Sequence, residues 1–291
     1  MLAHAKINLT LEVLGKRHDG YHEIATVLRM ISLADTLEFE ESDLLGLECS
    51  EPSLQSADNL VVRAAQALTD ETGCERGATI RLTKRIPTAA GLGSGATDAA
   101  ATLVGLNQLW GLQLKGERLM ELAGRLGSDV PALVVGGTVL AEGRGERVTS
   151  LPAGPGLWIV LLMPAIAPVA DKTAQMYARL NQSHFTSGQY TDDIVGRIQG
   201  SRDIDSSILF NVFEQVAFDF FPGLSEYRSR LLRAGAGSVH VAGAGPALFA
   251  LMSDRAQGEA VVENLQAQGM EVYLVSTSDP AADPSPGDAR C

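Results

Sequence analysis

The sequence has too few cysteines, too widely spaced, for a disulfide framework or a cysteine metal site. Only three occur in 291 residues, Cys49, Cys74 and Cys291, and no two of them form a CxxC pair. An odd number of widely spaced cysteines is typical of reduced thiols. Because thiols stay reduced in the cytoplasm, the pattern favours a cytoplasmic protein.

Long hydrophobic segments are also absent. The most apolar run, residues 157–163, contains seven residues, whereas a helix needs about 20 to span a bilayer. The first residues do not place a basic segment before an apolar one, as a secretory signal peptide does. We therefore expect a soluble protein that does not associate with membranes.

Positive charge is scarce. The chain has 23 Lys and Arg residues against 35 Asp and Glu residues, which gives a formal net charge of −12 and a pI near 4.9. A sequence-independent nucleic-acid binder needs a basic surface to displace counterions from phosphates. The balance therefore argues against nucleic acid and against an anionic membrane as partners. It is compatible with a small anionic substrate, because local lysines, helix N-termini and a metal can override the global field.

The composition is sufficient for a globular core. Hydrophobic residues make up 45% of the chain and charged residues 20%, which is ordinary for a globular protein. The length leaves room for two domains or for one large domain. Residues 153–156, Ala-Gly-Pro-Gly, are the best candidate for a domain boundary. Residues 279–291 are rich in Pro, Asp, Ala and Gly, and this composition predicts a flexible tail.

The opening residues alternate between apolar and polar side chains. Apolar side chains occupy the odd positions from Ala3 to Val13, and polar ones occupy the even positions from His4 to Glu12. A period of two predicts a strand with one face on the core. The polar face of that strand then carries the next residues of interest, Lys6 and Asn8.

Caps, glycines and apolar stripes predict the other elements. Asp58 and Asn59 are expected to cap a helix at 60–72 whose buried stripe is Val61, Ala64, Ala65 and Leu68. Further strands are predicted at 21–28, 37–40, 45–49, 79–86, 157–163, 238–241, 247–252 and 271–276. Further helices are predicted at 94–110, 117–126, 173–180, 208–218, 224–234 and 256–268, with a helical turn leading into a strand at 131–141. This order indicates an α+β protein with domains at 1–153 and 154–278.

A glycine-rich loop, residues 87–97, joins a predicted strand to an alanine-rich helix. Gly91, Gly93 and Gly95 allow backbone N–H groups to converge without Cβ obstruction. The helix that follows directs its positive end at the loop. The pattern predicts a polyphosphate site, and the alternative is a glycine turn that is packed closely for structural reasons.

Two other phosphate motifs do not fit this loop. A Walker A loop requires Gly-Lys-[Ser/Thr], and that triplet does not occur in the chain. Gly91, Gly93 and Ala96 satisfy a permissive dinucleotide-binding pattern, but the loop after Ile86 is too long for a tight strand-to-helix turn. The next predicted element is also another helix, so we treat the dinucleotide match as accidental.

Three segments, taken in order, resemble the three motifs of the GHMP kinases. They are residues 5–9 (Ala-Lys-Ile-Asn-Leu), 87–96 (Pro-x-x-x-Gly-Leu-Gly-Ser-Gly-Ala) and 241–246 (Val-Ala-Gly-Ala-Gly-Pro). The resemblance implies an N-terminal ATP-binding domain like domain 2 of ribosomal protein S5, spanning 1–153, and a GHMP C-terminal domain at 154–278. It further implies transfer of the γ-phosphoryl group of ATP to an alcohol in the cleft between them, with Mg²⁺ accompanying ATP.

Within that family, the chain resembles members whose substrate carries a cytidine diphosphate. The resemblance lies in residues 14–17, 19–23, 31–35, 58–60, 126–131 and 143–146. The alternatives are a mevalonate, homoserine or sugar kinase of the same family, and a nucleotide-binding relative without turnover. The implied partner is a small molecule, and the implied assembly is a monomer or weak homodimer.

The resemblance assigns catalytic roles to Lys6 and Asp129. Asp129 is the implied general base for the substrate hydroxyl, and Lys6 is implied to hold its carboxylate ionised and to steady developing charge. From pattern alone, Lys6 could equally be a solvated strand lysine and Asp129 a turn former. The implied substrate-binding residues are Asn8, Tyr21, His22, Thr173, Tyr177, Gly243 and Gly245. Tyr21 and Tyr177 are expected to stack on cytosine, His22 to read its edge, and Thr173 to contact phosphate.

The implied ATP-binding residues lie in the glycine-rich loop and in a predicted adenine pocket. The loop residues are Pro87, Thr88, Ala89, Ala90, Gly91, Leu92, Gly93, Ser94, Gly95, Ala96 and Thr97, and the adenine-pocket residues are Asn59, Leu60 and Lys84. Either Ser94 or Thr97 could contact Mg²⁺ or phosphate, and no protein metal ligand is assigned. Ala242 and Ala244 stand where the family often has serine, so two hydroxyl groups are lost while the backbone donors remain.

Overall fold

The computed structural model describes residues 1–278, and its first sheet contains seven strands. They are β1 (Leu2–Lys16), β2 (His22–Ser42), β3 (Gly46–Cys49), β4 (Gly77–Thr83), β5 (Thr138–Gly143), β6 (Arg147–Leu151) and β8 (Phe210–Asn211). The strand order is β3-β4-β2-β1-β8, and β5 pairs with both β2 and β6. The predicted flexible tail at 279–291 lies outside the described residues.

Strand β2 is much longer than predicted. Its 21 residues include the two separate strands predicted at 21–28 and 37–40. It pairs with β1 as far as Thr36, with β4 from Thr36 onward, and with β5 at residues 24–29, so one continuous strand serves three partners. The segment between the two predicted strands belongs to the sheet, and its charged residues Arg29 and Asp35 are both fully buried.

The prediction that β1 is a strand with its apolar face on the core is confirmed, but its polar face is buried as well. Lys6, Asn8 and Thr10 are at most 4% exposed, and Glu12 is fully buried. Glu12 accepts a hydrogen bond from the backbone N–H of Thr191, which lies in the first turn of helix α6 (Gln189–Gln199). Elements from the second half of the chain therefore cover the face that was expected to meet solvent.

Four helices accompany the first sheet, α1 (Leu60–Thr72), α2 (Ser94–Leu109), α3 (Gly116–Leu126) and α4 (Val130–Val135). The helix predicted at 60–72 is confirmed to the residue, together with its buried stripe. Asn59 caps it by accepting from the N–H of Val61 at 2.9 Å. Gly73 ends it in the left-handed conformation, with φ of 67°.

The second sheet has four antiparallel strands in the order β11-β7-β10-β9. They are β7 (Trp158–Met163), β9 (His240–Val241), β10 (Leu248–Met252) and β11 (Glu271–Ser276). The remaining helices are α5 (Lys172–Ala178), α6, α7 (Glu214–Phe220), α8 (Leu224–Arg233) and α9 (Arg255–Gln266). The helices and the two mainly antiparallel sheets confirm the α+β class.

The helix predicted at 208–218 is wrong in its first half, and β6 and α6 were not predicted. Phe210 and Asn211 form β8, which runs parallel to β1 in the first sheet. A helix begins only at Glu214.

Apolar residues of β1 pack in the same clusters as β7 and β10, so the core is continuous between the two sheets. The domain boundary near residue 154 stays a prediction. In residues 1–278 no helix has the length and apolar character needed to cross a bilayer.

Candidate active site

A cleft of about 1440 Å³ lies where the two halves of the chain meet. It is bounded by β1, the β1–β2 turn, the glycine-rich loop and α5. The residues of the sequence prediction that line it are Lys6, Asn8, Tyr21, His22, Leu60, Ala89, Ala90, Gly91, Gly93, Ser94, Gly95, Ala96, Asp129, Thr173, Tyr177 and Gly243. Those outside its lining are Asn59, Lys84, Pro87, Thr88, Leu92, Thr97 and Gly245.

Lys6 and Asp129 form an ion pair in this cleft, with Nζ 3.4 Å from Oδ2. The lysine side chain is 4% exposed and the aspartate side chain is 44% exposed, so the carboxylate faces the open cleft. Lys6 Nζ also donates to Asn8 Oδ1 at 2.8 Å, and Asn8 donates in turn to Thr26 Oγ1 at 2.8 Å. The ammonium is thus held in place by its neighbours on the strand face.

Asp129 precedes α4 but does not use its side chain to cap that helix. The position therefore has no structural hydrogen bond of the kind that a turn-forming or capping aspartate makes. Its carboxylate is available to accept a proton from a ligand, and a buried cation lies beside it. This combination suits general-base chemistry.

The glycine-rich loop is anchored on both sides. The N–H of Lys6 donates to Leu92 O at 3.0 Å, and the N–H of Ala247 donates to Ala90 O at 3.1 Å. Gly91 has φ of 94°, and a Cβ at this position would overlap the carbonyl of Ala242. Glycine is therefore required at Gly91 by both its conformation and its surroundings.

Two loop side chains point away from the cleft. Leu92 is fully buried in the core. The hydroxyl of Thr97 donates to the carbonyl of His4 at 2.7 Å, so it is engaged inside the fold. Of these two hydroxyl residues, which could not be distinguished by pattern, only Ser94 lines the cleft, and its hydroxyl donates to the carbonyl of Ile86 at 3.2 Å.

The structure places Lys84 behind the loop and outside the lining of the cleft. Its side chain is 1% exposed and pairs with Asp98 at 2.6 Å and with Asp35. Its Nζ also bonds Ser94 Oγ at 2.8 Å. We refer to Lys84, Asp35 and Asp98 as the buried ion triad. It fixes the start of α2 and, through Ser94, the end of the glycine-rich loop (residues 87–97), which we call the phosphate loop below.

Burial dominates the electrostatics of this triad. It raises the pKa of Asp98 to about 7, against the opposing effect of the Lys84 ammonium. Burial also acts to lower the pKa of Lys84, but Asp98 and Asp35 outweigh it, and the net pKa of Lys84 is raised. One lysine shared by two buried carboxyl groups accounts for both directions.

Of the two helix-start residues predicted for the adenine pocket, Asn59 has a structural role and Leu60 lines the cleft. The Asn59 side chain is used by the fold, because it caps α1 and donates to Leu54 O at 2.8 Å. Leu60 lines the cleft, and its Cδ1 lies 3.4 Å from where a Cβ on Gly95 would stand. An apolar contact next to the loop is what the flat face of a purine needs.

The aromatic residues are arranged differently from the predicted pair. Tyr177 stacks on His22, with ring centroids 4.9 Å apart and 17° between the planes, and meets Phe213 edge-on at 4.9 Å. Tyr21 is 54% exposed, and the Arg144 guanidinium lies over its ring at 4.7 Å. Burial lowers the pKa of His22, and Lys16 acts in the same direction.

The C-terminal glycine turn interlocks with the phosphate loop. A Cβ on Gly243 would stand 2.7 Å from the carbonyl oxygen of Gly91. Asn211 donates to the carbonyls of Val241 and Gly243 at 2.8 Å each, which fixes the turn. Gly245 has φ of 69° and supports the turn from outside the cleft. Sequence reasoning missed Asn211 because its importance depends on the β8 contact, for which two residues give no periodic signal.

Two family models match the chain. The GHMP kinases N terminal domain matches residues 59–137, and the GHMP kinases C terminal domain matches residues 195–270. Curated relatives include the 4-diphosphocytidyl-2-C-methyl-D-erythritol kinase of Dehalococcoides mccartyi, which is 44% identical over 281 residues and covers 96% of this chain and 98% of the relative. The enzyme of the same name from Symbiobacterium thermophilum is 40% identical and covers 94% and 98%.

Solved structures show the same likeness. A crystal structure of 4-(cytidine 5'-diphospho)-2C-methyl-D-erythritol kinase has a TM-score of 0.81 and 32% identity, covering 96% of this chain and 99% of that chain. Homoserine kinase from Cytophaga hutchinsonii has a TM-score of 0.70 at 20% identity, covering 94% of each chain, and supports the fold alone.

Proposed function

This chain belongs to the GHMP kinase family, and on that premise we propose that it transfers the γ-phosphoryl group of ATP to the 2-hydroxyl of 4-diphosphocytidyl-2-C-methyl-D-erythritol. The activity would be a step of non-mevalonate isoprenoid synthesis. The observation that carries the proposal is the Lys6–Asp129 pair, which stands in the cleft next to the phosphate loop. The full-length likeness to relatives of that name supports the choice of substrate.

The proposed reaction needs one proton acceptor and a set of anion-binding groups. Asp129 accepts the proton of the 2-hydroxyl while the substrate oxygen forms a bond to the γ-phosphorus. The bond between that phosphorus and the bridging β–γ oxygen breaks, and ADP leaves with the electron pair. Lys6 lies 3.4 Å from the carboxylate and can stabilise negative charge that develops on the reacting oxygens.

The phosphate loop would hold ATP through its backbone N–H groups at the start of α2. Mg²⁺ is part of the proposal, and the donor set fits an ion held mainly by phosphates and water. Within residues 1–278 no three His, Cys, Asp or Glu side chains form a metal cluster. Ser94 is the hydroxyl residue of the loop that lines the cleft, and its Oγ would have to leave its bond to the Ile86 carbonyl to reach the ion. The ion would neutralise phosphate charge.

The aromatic residues would receive the cytosine base. Tyr177 offers a ring face that His22 covers, so we propose that the base stacks on Tyr177 while His22 turns to its edge. Tyr21, which is exposed at the cleft, would contact the base as well. Mevalonate, homoserine and galactose have no base, so this cluster would be of no use to kinases acting on them.

The localisation, the assembly and the partners of the protein are also part of the proposal. We propose a cytoplasmic monomer or weak homodimer that binds small molecules and neither nucleic acid nor membrane. The free thiols of Cys49 and Cys74 and the net charge of −12 support this setting.

The experiment is ADP release measured with a panel of acceptors at equal concentration. We expect ADP to form with 4-diphosphocytidyl-2-C-methyl-D-erythritol and only at background rates with mevalonate, homoserine or galactose. Omitting the acceptor gives the ATPase background. Turnover of any of the three other acceptors at the rate of the cytidine substrate would contradict the proposal.

A further inference from the structure

Lys172 connects the phosphate loop to the C-terminal glycine turn. It begins α5, and its Nζ donates to the carbonyl of Ala89 at 2.7 Å and to the carbonyl of Gly245. The side chain is mostly buried and lines the cleft. A single ammonium group thus bonds two turns that lie more than 150 residues apart in the sequence.

The segment that Lys172 holds is the entrance to the phosphate loop. Ala89 has φ of 56°, a left-handed conformation that residues with a Cβ rarely adopt. The next carbonyl, that of Ala90, accepts from the N–H of Ala247 at 3.1 Å. Two consecutive carbonyls are therefore held by residues of the second half of the chain, and Lys172 fixes the strained one. Loss of the ammonium would release the peptide that leads into Gly91.

Lys172 also changes the charge of the site. Three of the five lysines in the chain, Lys6, Lys16 and Lys172, line this one cleft in a protein with a net charge of −12. Two ammonium groups that repel each other in a partly buried cleft are stabilised by an anion between them. The pair Lys6 and Lys172 is therefore suited to a polyanion.

We propose that protonated Lys172 is a positioning residue for phosphoryl transfer, which holds the phosphate loop against the glycine turn and adds positive charge beside Lys6. This inference rests on the proposed kinase activity. The role is separate from that of Asp129, which accepts the proton, and from the buried ion triad, which supports the other end of the loop.

The proposed role makes activity depend on pH above neutrality. Burial lowers the pKa of Lys172 to about 8, and the charge of Lys6 acts in the same direction. The ammonium is therefore present below about pH 8 and lost above it. The other titratable side chains around the cleft are Lys6 and Lys16 on β1, Tyr21 in the β1–β2 turn, His22 on β2, Asp129 before α4, Arg144 in the β5–β6 turn, and Asp171 and Tyr177 beside Lys172. The pKa of His22 is lowered and that of Tyr177 is raised, so both titrate away from this window.

The first test is the pH dependence of ADP formation between pH 6.5 and 9.5, for wild type, Lys172→Met and Lys172→Arg. For the wild type, kcat/KM for ATP should fall above about pH 8 by up to tenfold per pH unit, since one proton is lost from the free enzyme. A bound polyanion favours the ammonium, so the fall in kcat should begin at higher pH. Lys172→Arg should lack the fall, because guanidinium stays charged.

Lys172→Met keeps the length of the stem and removes the charge. Its kcat/KM for ATP should be lower than that of the wild type by roughly 10- to 100-fold at pH 7 and should not fall further near pH 8. Lys115→Met is the matched control, because Lys115 is exposed and lies outside the cleft, and it should behave as the wild type. A Lys172→Met enzyme with wild-type kcat/KM, or a Lys172→Arg enzyme with an unchanged alkaline fall, would overturn the inference.

The dissociation constant of ATP, measured by calorimetry on the same proteins at pH 7 and 9.5, needs no turnover. It therefore tests Lys172 separately from the choice of acceptor. We expect ATP to bind the wild type more weakly at pH 9.5 than at pH 7, with little change for Lys172→Arg. Equal pH dependence in both proteins would count against Lys172 even if the cytidine substrate were turned over.

Discussion

The imidazole of His22 lies flat on the ring of Tyr177, with centroids 4.9 Å apart. His22 begins β2 and Tyr177 lies on α5, so the contact joins a strand of the first sheet to a helix from the second half of the chain. The ring face that a base would use is thus already in an aromatic stack. If the cytosine base replaced the His22 imidazole on Tyr177, the Tyr177 ring would stay stacked and His22 would be free to form a hydrogen bond.

Tyr177→Ala should weaken binding of the cytidine substrate without a comparable effect on binding of ATP. Stacking of a base on an aromatic ring contributes about 1–3 kcal/mol, which corresponds to roughly 5- to 150-fold in the dissociation constant. Tyr177→Phe keeps the ring and should be nearly silent. The measurement is a pair of titrations, substrate and ATP, on each variant. Equal weakening of both ligands would instead mark Tyr177 as a core residue.

Gly91→Ala should disrupt the contact between the loop and the glycine turn. The new Cβ would overlap the Ala242 carbonyl, and φ of 94° is unfavourable for alanine. We expect a loss of about 2 kcal/mol or more in the free energy of unfolding, together with weaker ATP binding. Urea denaturation and ATP titration measure the two effects.

Gly116→Ala is the matched control for Gly91→Ala. It lies at the start of α3 with no atom within 4 Å of the added Cβ, and it should keep wild-type stability. If Gly91→Ala were as stable as Gly116→Ala, the close contact between the phosphate loop and the C-terminal glycine turn would not contribute to stability.

Asp98→Asn should change how stability depends on pH. Burial raises the pKa of Asp98 to about 7 in the folded protein, whereas an unfolded aspartate titrates near 3.9. Between these values the folded state binds more protons, so this group makes stability fall as pH rises from about 4 to 7. Asparagine removes that contribution.

The comparison is urea denaturation of wild type and Asp98→Asn at pH 5 and pH 8. The free energy of unfolding of Asp98→Asn, compared with that of the wild type at the same pH, should be higher at pH 8 than at pH 5. Asp58→Asn, at an exposed position, should show no such pH-dependent difference. An equal difference between wild type and Asp98→Asn at both pH values would contradict this account, and would mean that Lys84 keeps the Asp98 carboxylate ionised throughout the range.

Asp129→Asn should slow turnover by roughly 100-fold or more and leave ATP affinity nearly unchanged. The amide keeps the shape of the side chain and cannot accept the proton. The readouts are kcat for ADP formation and the dissociation constant of ATP. Near-wild-type kcat would remove Asp129 from the proposed chemistry.

Local signals predicted parts of the fold very well. Helix α1 is bounded by the Asn59 cap and Gly73, and its stripe is regular, so its limits follow from nearby residues alone. The phosphate loop was also placed correctly between a strand and a helix, because glycine spacing is a local property.

What the sequence did not predict depends on contacts between distant segments. Period-two alternation identified β1, but it cannot show that α6 covers the polar face and buries Glu12. Lys84 looked like a strand lysine near a nucleotide, and only the packing of α2 shows that Asp98 holds it behind the loop. The stack of His22 on Tyr177 likewise depends on how α5 meets β2.

The most direct measurement is the identity of the phosphorylated product. Wild-type protein should be incubated with ATP and 4-diphosphocytidyl-2-C-methyl-D-erythritol, and the product examined by ³¹P NMR and mass spectrometry, with the 2-deoxy analogue and Asp129→Asn as controls. The account predicts one new phosphate monoester on the 2-hydroxyl, formed in step with ADP, and none from the analogue. ADP formation without a phosphorylated acceptor, or phosphate on a different hydroxyl, would contradict it.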